Sequence, residues 1–221
     1  MALVGLVVVS HSRALAEAAV ELSLQMVHGT RPEIVVAAGT PEGGFGTDAT
    51  QVADAVRAAD RGAGVVVLMD LGSAVLSAEF AMELVEDANA ILVAAPFVEG
   101  LLAATVRAAT GGTREEVADE ARAALGPKLA ALGPDFPADE EPPEKPGEVP
   151  WAADAETRVT LPNASGLHAR PAARLAAALA PYQSRLILTC SDKQADGKSL
   201  NQLALLQARC GDRLTLHADG D

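Results

Sequence analysis

Four short runs of apolar residues, none with polar alternation, punctuate the first half of the chain: residues 3–9, 34–38, 65–69 and 91–95. A strand with one wet face alternates polar and apolar side chains. An unbroken run means that both faces are buried, as in a parallel sheet covered by helices. Between the first two runs, Leu15, Ala19, Leu22 and Met26 recur at helical spacing. A second helix is predicted from Asp48 to Asp60, with Val52 and Val56 inward, and a third from about Ser73 to Asp87. Thr113-Arg-Glu-Glu116 is a capping box, and it opens a helix expected to stop near Gly126-Pro127. Strand and helix in alternation predict an α/β fold, an open doubly wound parallel sheet.

The end of the chain has a different rhythm. Strands are predicted over residues 158–161, 185–189 and 213–217, with helices over 171–180 and 199–207. This is a small α+β module. Residues 138–150 alternate prolines with acidic side chains and contain one valine, so they form an extended, solvated linker. The expected organisation is a domain over 1–132, a linker over 133–156 and a module over 157–221.

Composition narrows the partners. A length of 221 residues suits two domains. Aromatics make up 3% of the chain, so its cores are aliphatic. The net charge of −13 repels phosphate backbones and argues against nucleic acid. No basic amphipathic stretch suits a membrane surface. The apolar N-terminus lacks a basic leader region and is interrupted at once by His11, Ser12 and Arg13; it reads as a buried strand, with no membrane insertion. Cys190 and Cys210 share no metal or redox spacing, so reduced thiols in the cytoplasm are expected.

The candidate chemistry lies in two histidines. His11 follows the first strand directly, and Asp70 ends the third. Parallel strands put both on the carboxyl rim of the sheet, where such folds bind ligands. A carboxylate beside an imidazole fixes its tautomer and stabilises its cationic form, which is what a nucleophilic histidine needs. Gly46-Thr47 and Gly72-Ser73 lie in loops that can offer backbone N–H groups to phosphate oxygens. Taken singly, His11 is also readable as an ordinary polar loop residue, and Asp70 as a helix cap. His168 precedes Ala169-Arg170-Pro171, and a proline suits the first turn of a helix. Free N–H groups there favour a phosphate, and Arg170 adds a cation with a matching fork. A capping histidine with a surface arginine accounts for the same residues.

Other chemistries find no support. No G-x-G-x-x-G follows a strand, no G-x-S-x-G is present, and no histidine or cysteine pair has metal spacing. Neither a metal nor an organic cofactor is expected. His28 and His217 read as structural or exposed.

Three segments together carry a resemblance: Val7-Val8-Val9-Ser10-His11-Ser12, Gly46-Thr47-Asp48 and Met69-Asp70-Leu71-Gly72-Ser73-Ala74. They resemble the phosphotransferase subunit of phosphoenolpyruvate-dependent dihydroxyacetone kinase, over about residues 1–132, a domain similar to mannose-type enzyme IIA. Gly166-Leu167-His168-Ala169-Arg170-Pro171-Ala172 is similar to the phosphorylation signature of HPr, the small histidine phosphocarrier. The resemblance implies a relay. Enzyme I, charged by phosphoenolpyruvate, phosphorylates His168, and His168 passes the group to His11. His11 delivers it to ADP on the nucleotide-binding subunit of the kinase. It also implies that Asp70 pairs with His11, that Arg170 holds the phosphate on His168, that free HPr is a further partner, and that the N-terminal domain forms a homodimer. Ser199 aligns with a regulatory serine of some HPr proteins, although Ser199-Leu-Asn-Gln202 also fits a capping box. HPr continues past its last strand into a closing helix, so the module, an open-faced sandwich by resemblance, is read as C-terminally incomplete. A sugar-permease enzyme IIA fused to HPr, and a regulator whose phosphorylation state controls binding, are the alternatives.

Overall fold

The computed structural model describes residues 2–41, 43–85, 88–132, 155–163, 166–167 and 169–219. The chain divides into two compact units, Met1–Ala124 and Leu125–Asp221. His168 and the linker residues 133–154 lie outside the described residues.

The first unit alternates β1 (Gly5–Ser10), α1 (Arg13–Leu24), β2 (Ile34–Ala38), α2 (Ala49–Ala59), β3 (Val65–Met69), α3 (Gly72–Glu83), β4 (Ala90–Val93), α4 (Phe97–Ala109) and α5 (Arg114–Arg122). All pairings are parallel, in the order β2-β1-β3-β4. The unbroken apolar runs are explained by what covers them. Leu6, Val8, Val66 and Leu68 face Ala16 and Ala19 of α1, Leu101 and Ala104 of α4, and Val117 of α5. Val7, Val9, Val65 and Val67 face Val52 and Val56 of α2 and Ala74 and Ala78 of α3. Burying a valine or leucine on either face contributes about 1.5–3 kcal/mol, so both faces hold the sheet. Because β2 lies on one side of β1 and β3 on the other, the crevice where the winding reverses opens at the carboxyl ends of β1 and β3.

Three features of this half depart from the expectation. The helix α4 was not anticipated. Gly100, Leu101, Ala103, Ala104, Thr105, Val106 and Ala108 are all buried, so it has almost no polar face to mark it. The predicted stop at Gly126-Pro127 is instead a restart. A 3-10 turn (Ala123–Leu125) follows α5, and α6 (Gly126–Leu132) carries Pro127 in its first turn, where the missing N–H costs nothing. The third helix ends at Glu83, short of the predicted Asp87, which itself lies outside the described residues. The capping box forms as expected: the Glu116 N–H donates to Thr113 Oγ1 and the Thr113 N–H to Glu116 Oε2.

The second unit contains α6 (Gly126–Leu132), β5 (Ala155–Thr160), α7 (Ala169–Leu179), β6 (Arg185–Cys190), β7 (Lys193–Asp196), α8 (Leu200–Leu205) and β8 (Arg213–Asp219). Its sheet is antiparallel, in the order β5-β8-β6-β7. The edge strand β7 was not anticipated: three of the four residues in Lys-Gln-Ala-Asp are polar, and only Ala195 is buried. Leu188, Leu203, Ala172 and Ala176 form its buried side. Ser199 caps α8 by accepting the Gln202 N–H at 3.1 Å. The predicted box does not close, because Gln202 Oε1 accepts from the Asp196 N–H instead.

Candidate functional site

Strand β1 ends at Ser10, and the chain turns out of the sheet at His11 before α1 begins. The carbonyl of Ser10 accepts the Gly39 N–H at 3.1 Å, which ties the β2 exit to the same rim. The Asp70 N–H donates to the Val9 carbonyl at 3.1 Å. Strand pairing thus carries His11 and Asp70 to the reversal crevice side by side.

The two side chains meet there. His11 Nδ1 lies 2.9 Å from Asp70 Oδ1. The same carboxylate oxygen accepts the Leu71 N–H at 2.7 Å. Asp70 Oδ2 accepts the His11 backbone N–H and the Ser10 hydroxyl, each at 2.9 Å. The side chain of Asp70 is 8% exposed and that of His11 is 24% exposed, so the carboxylate is enclosed while the ring reaches solvent. Burial disfavours the charged form of Asp70. The backbone N–H of His11, its ring and the Ser10 hydroxyl outweigh that effect and hold the carboxyl below its ordinary value.

The other ring nitrogen points at a helix start. His11 Nε2 lies 2.8 Å from Ser73 Oγ, in the first turn of α3. Ser12 caps α1 and Asp48 caps α2 with side-chain oxygens, whereas α3 starts after Leu71 without a side-chain cap. Its N-terminal N–H groups, with the positive end of its dipole, lie beside the imidazole. With the ring proton on Nδ1, donated to Asp70, Nε2 bears the lone pair and can act as a nucleophile.

The glycine loop supports this arrangement differently from the expectation. The Gly46 N–H is engaged, donating to the His11 carbonyl at 3.0 Å, so it fixes the backbone of the histidine. Gly46 has φ +147°, and a Cβ there would meet Thr40 Cγ2 at 2.9 Å. Thr47 Oγ1 lies 2.7 Å from Ser77 Oγ, linking the loop to α3. The site therefore joins His11, Asp70, Gly46, Gly72 and Ser73 at one rim, with Thr47 tied beside them.

Sequence reasoning missed Ser10 and Ser77. Ser10 is fully buried and reads as the last residue of an apolar strand; its one signal is a hydroxyl immediately before a rim histidine. Ser77 is one helical turn beyond Ser73 and carries no motif.

In the second unit, Leu167 is buried, its N–H donates to the Ala208 carbonyl at 2.9 Å, and α7 starts at Ala169. Arg170 is exposed in the first turn of α7. His28 is exposed, and His217 Nδ1 faces Glu156 Oε2 across β5 and β8 at 3.8 Å. Among the described residues, no three His, Cys, Asp or Glu side chains group as they would for a metal ion, and no helix is long and apolar enough to cross a membrane.

Comparison with known proteins gives this arrangement a family. Residues 5–118 match the model of the PTS system fructose IIA component, and residues 155–221 match the PTS HPr component phosphorylation site. The phosphoryl donor subunit DhaM of the PEP-dependent dihydroxyacetone kinase of Pantoea ananatis is 44% identical over 99% of this chain. The corresponding subunit of Escherichia coli K12 is 42% identical over 99% of it. The chain spans 47% of the length of each, about half. A DhaM subunit of Listeria innocua is 32% identical over 53% of this chain and 96% of its own length, so that relative matches roughly one unit. The chain belongs to the PTS fructose IIA component family and carries an HPr-type module behind the IIA domain.

Proposed function

We propose that the chain is the phosphoryl donor subunit of a phosphoenolpyruvate-dependent dihydroxyacetone kinase, organised as a IIA-like domain, a linker and an HPr-like phosphocarrier whose first strand, β5, starts at Ala155. The observation that carries this reading is the His11 geometry: Nδ1 is held by Asp70 at 2.9 Å, and Nε2 faces the uncapped start of α3. Enzyme I, charged by phosphoenolpyruvate, phosphorylates His168, with Arg170 steadying the phosphoryl oxygens. The lone pair of His11 Nε2 then attacks phosphorus. The P–N bond to the His168 ring breaks, and its electron pair stays on the departing imidazole. Asp70 stabilises the positive charge that the His11 ring acquires. Ser73 turns its hydroxyl from Nε2 to a phosphoryl oxygen, and the N–H groups of Gly72 and Ser73 receive the others.

His11 next delivers the group to ADP on the nucleotide-binding subunit of the kinase. The chain is thus a phosphotransferase with phosphohistidine intermediates. It acts in the cytoplasm, as a homodimer through its N-terminal domain, and accepts free HPr as an alternative donor. Ser199 is buried and caps α8, so a regulatory role requires that cap to open; incubation with an HPr kinase tests it by label on Ser199.

A reconstituted relay tests the main reading. Enzyme I, labelled phosphoenolpyruvate, the kinase subunits and this protein are mixed. His168→Ala blocks charging of His11 until free HPr is added. His11→Ala leaves His168 labelled and the kinase idle. Label on a serine or an aspartate in place of both histidines refutes the relay.

A further inference from the structure

The Asp70 carboxylate accepts four hydrogen bonds, two on each oxygen. Three come from His11 and Leu71, which flank the site in any case. The fourth comes from the Ser10 hydroxyl, which meets Oδ2 whereas the ring meets Oδ1.

Ser10 has features that an incidental strand-end serine lacks. It has no solvent exposure, so its hydroxyl has no water to turn to. It also stands at a junction. Its oxygen accepts the Ser12 N–H at 3.1 Å, and it donates towards Asp70 Oδ2 at 2.9 Å, with the Ser12 carbonyl at 3.1 Å as a second acceptor. Ser12 is the N-cap of α1. Donors therefore converge on Asp70: the Ser12 N–H, at the start of α1, donates to Ser10 Oγ, the Ser10 hydroxyl donates to Oδ2, and the His11 ring donates from Nδ1 to Oδ1. The Ser10 hydroxyl is polarised by the donor behind it.

We infer that Ser10 is a positioning residue for the phosphoryl transfer. It pins Asp70 Oδ2, so that Oδ1 is held on Nδ1–H and the lone pair of His11 stays on Nε2. Without the hydroxyl, Oδ2 keeps one donor, the half-buried Ser12 N–H loses its acceptor, and the carboxylate can rotate about its side-chain bond. The ring then populates the tautomer with the proton on Nε2, which has no lone pair there to attack phosphorus. Ser10 touches neither phosphate nor the reacting nitrogen, so its effect passes through Asp70. The inference rests on the relay reading for its consequence, but the tautomer it predicts belongs to the unphosphorylated protein.

The test uses the full chain with 15N-labelled histidine, the His11 signals being assigned by their loss in His11→Gln. Ser10→Ala removes the donor. Ser10→Cys keeps nearly the same volume with a weak one. Wild type shows Nδ1 at the protonated-type shift and Nε2 at the unprotonated-type shift. In Ser10→Ala the two shifts move towards each other, with Ser10→Cys between. The rate of phosphoryl uptake at saturating donor falls about tenfold in Ser10→Ala, the scale of one hydrogen bond to a charged group, while the donor KM is unchanged. Unchanged shifts and rates in a folded Ser10→Ala overturn the proposal. So does loss of cooperative melting in both variants, which makes the hydroxyl structural. If Ser10→Ala alone fails to fold, Ser10→Cys decides by the same shifts. Absence of label on wild-type His11 counts against the relay reading, and the nitrogen shifts still decide Ser10.

Discussion

Asp70 is the residue on which the geometry of the site converges. It holds one nitrogen of His11, accepts two backbone N–H groups and is almost enclosed. Asp70→Asn preserves the size of the side chain but removes the charge and offers an N–H where an acceptor is needed. Phosphoryl uptake by His11 is expected to fall by about 10²-fold or more, read as the rate of labelling under single-turnover conditions. Asp70 also makes stability depend on pH. Its folded-state value is held below the ordinary one, near 3.8, so the unfolded chain binds the proton more readily. The stabilisation is complete above the unfolded-state value and is lost as pH falls through the folded-state value. The melting temperature of wild type should therefore drop more steeply than that of Asp70→Asn between about pH 5 and pH 3, by calorimetry. An equal drop in both would remove Asp70 as the source.

The elements matter because they deliver these residues to one rim. Helix α4 closes the face of the sheet opposite α2 and α3, and Leu101, fully buried, is among its anchors against Leu6 and Leu68. Leu101→Ala should cost about 2–5 kcal/mol, from lost transfer energy and the cavity left behind. Chemical denaturation checks this through a lower midpoint with an unchanged slope. Leu101 makes none of the hydrogen bonds of the site, so the truncation should leave the 15N shifts of His11 in place while the protein remains folded. The same helix shows why sequence reading has limits at this scale. Strands β1 to β4 were legible because two-sided burial leaves an unbroken apolar run. Helix α4 is also buried on nearly all sides, so it lost the polar stripe that marks a helix. Strand β7 was hidden for the opposite reason, because a sheet edge needs few apolar residues.

For the whole molecule, the charge is divided unevenly. Residues 1–124 carry 7 basic and 17 acidic side chains, and residues 157–221 carry 8 and 5. The first unit is therefore strongly acidic and the HPr-type module mildly basic, an arrangement that steers the two towards each other. Transfer between modules of different molecules follows as a prediction. On the proposed relay, a mixture of His11→Ala chains, which keep His168, with His168→Ala chains, which keep His11, should restore label on His11. The rate of that exchange should fall as salt is raised from low to physiological ionic strength, because the Debye length shrinks to about 8 Å. Rates indifferent to salt would exclude steering by net charge.

The sequence alone was enough to identify a parallel sheet in the first half, an α+β module behind it, and His11 and Asp70 at strand ends. Those conclusions follow from local periodicity and from the geometry of parallel strands, and neither depends on distant contacts. The signature around His168 was legible as a motif, although His168 itself lies outside the described residues. What only the tertiary structure decided is which atoms meet. The pairing of His11 Nδ1 with Asp70, the approach of Ser73 to Nε2 and the burial of Ser10 depend on residues 59 to 62 positions apart, or on helices packed over them. The Gly46 N–H, expected to be free for phosphate, is occupied by the His11 carbonyl. No linear pattern encodes that choice, because a backbone donor is free or engaged only according to what the fold brings within 3 Å of it.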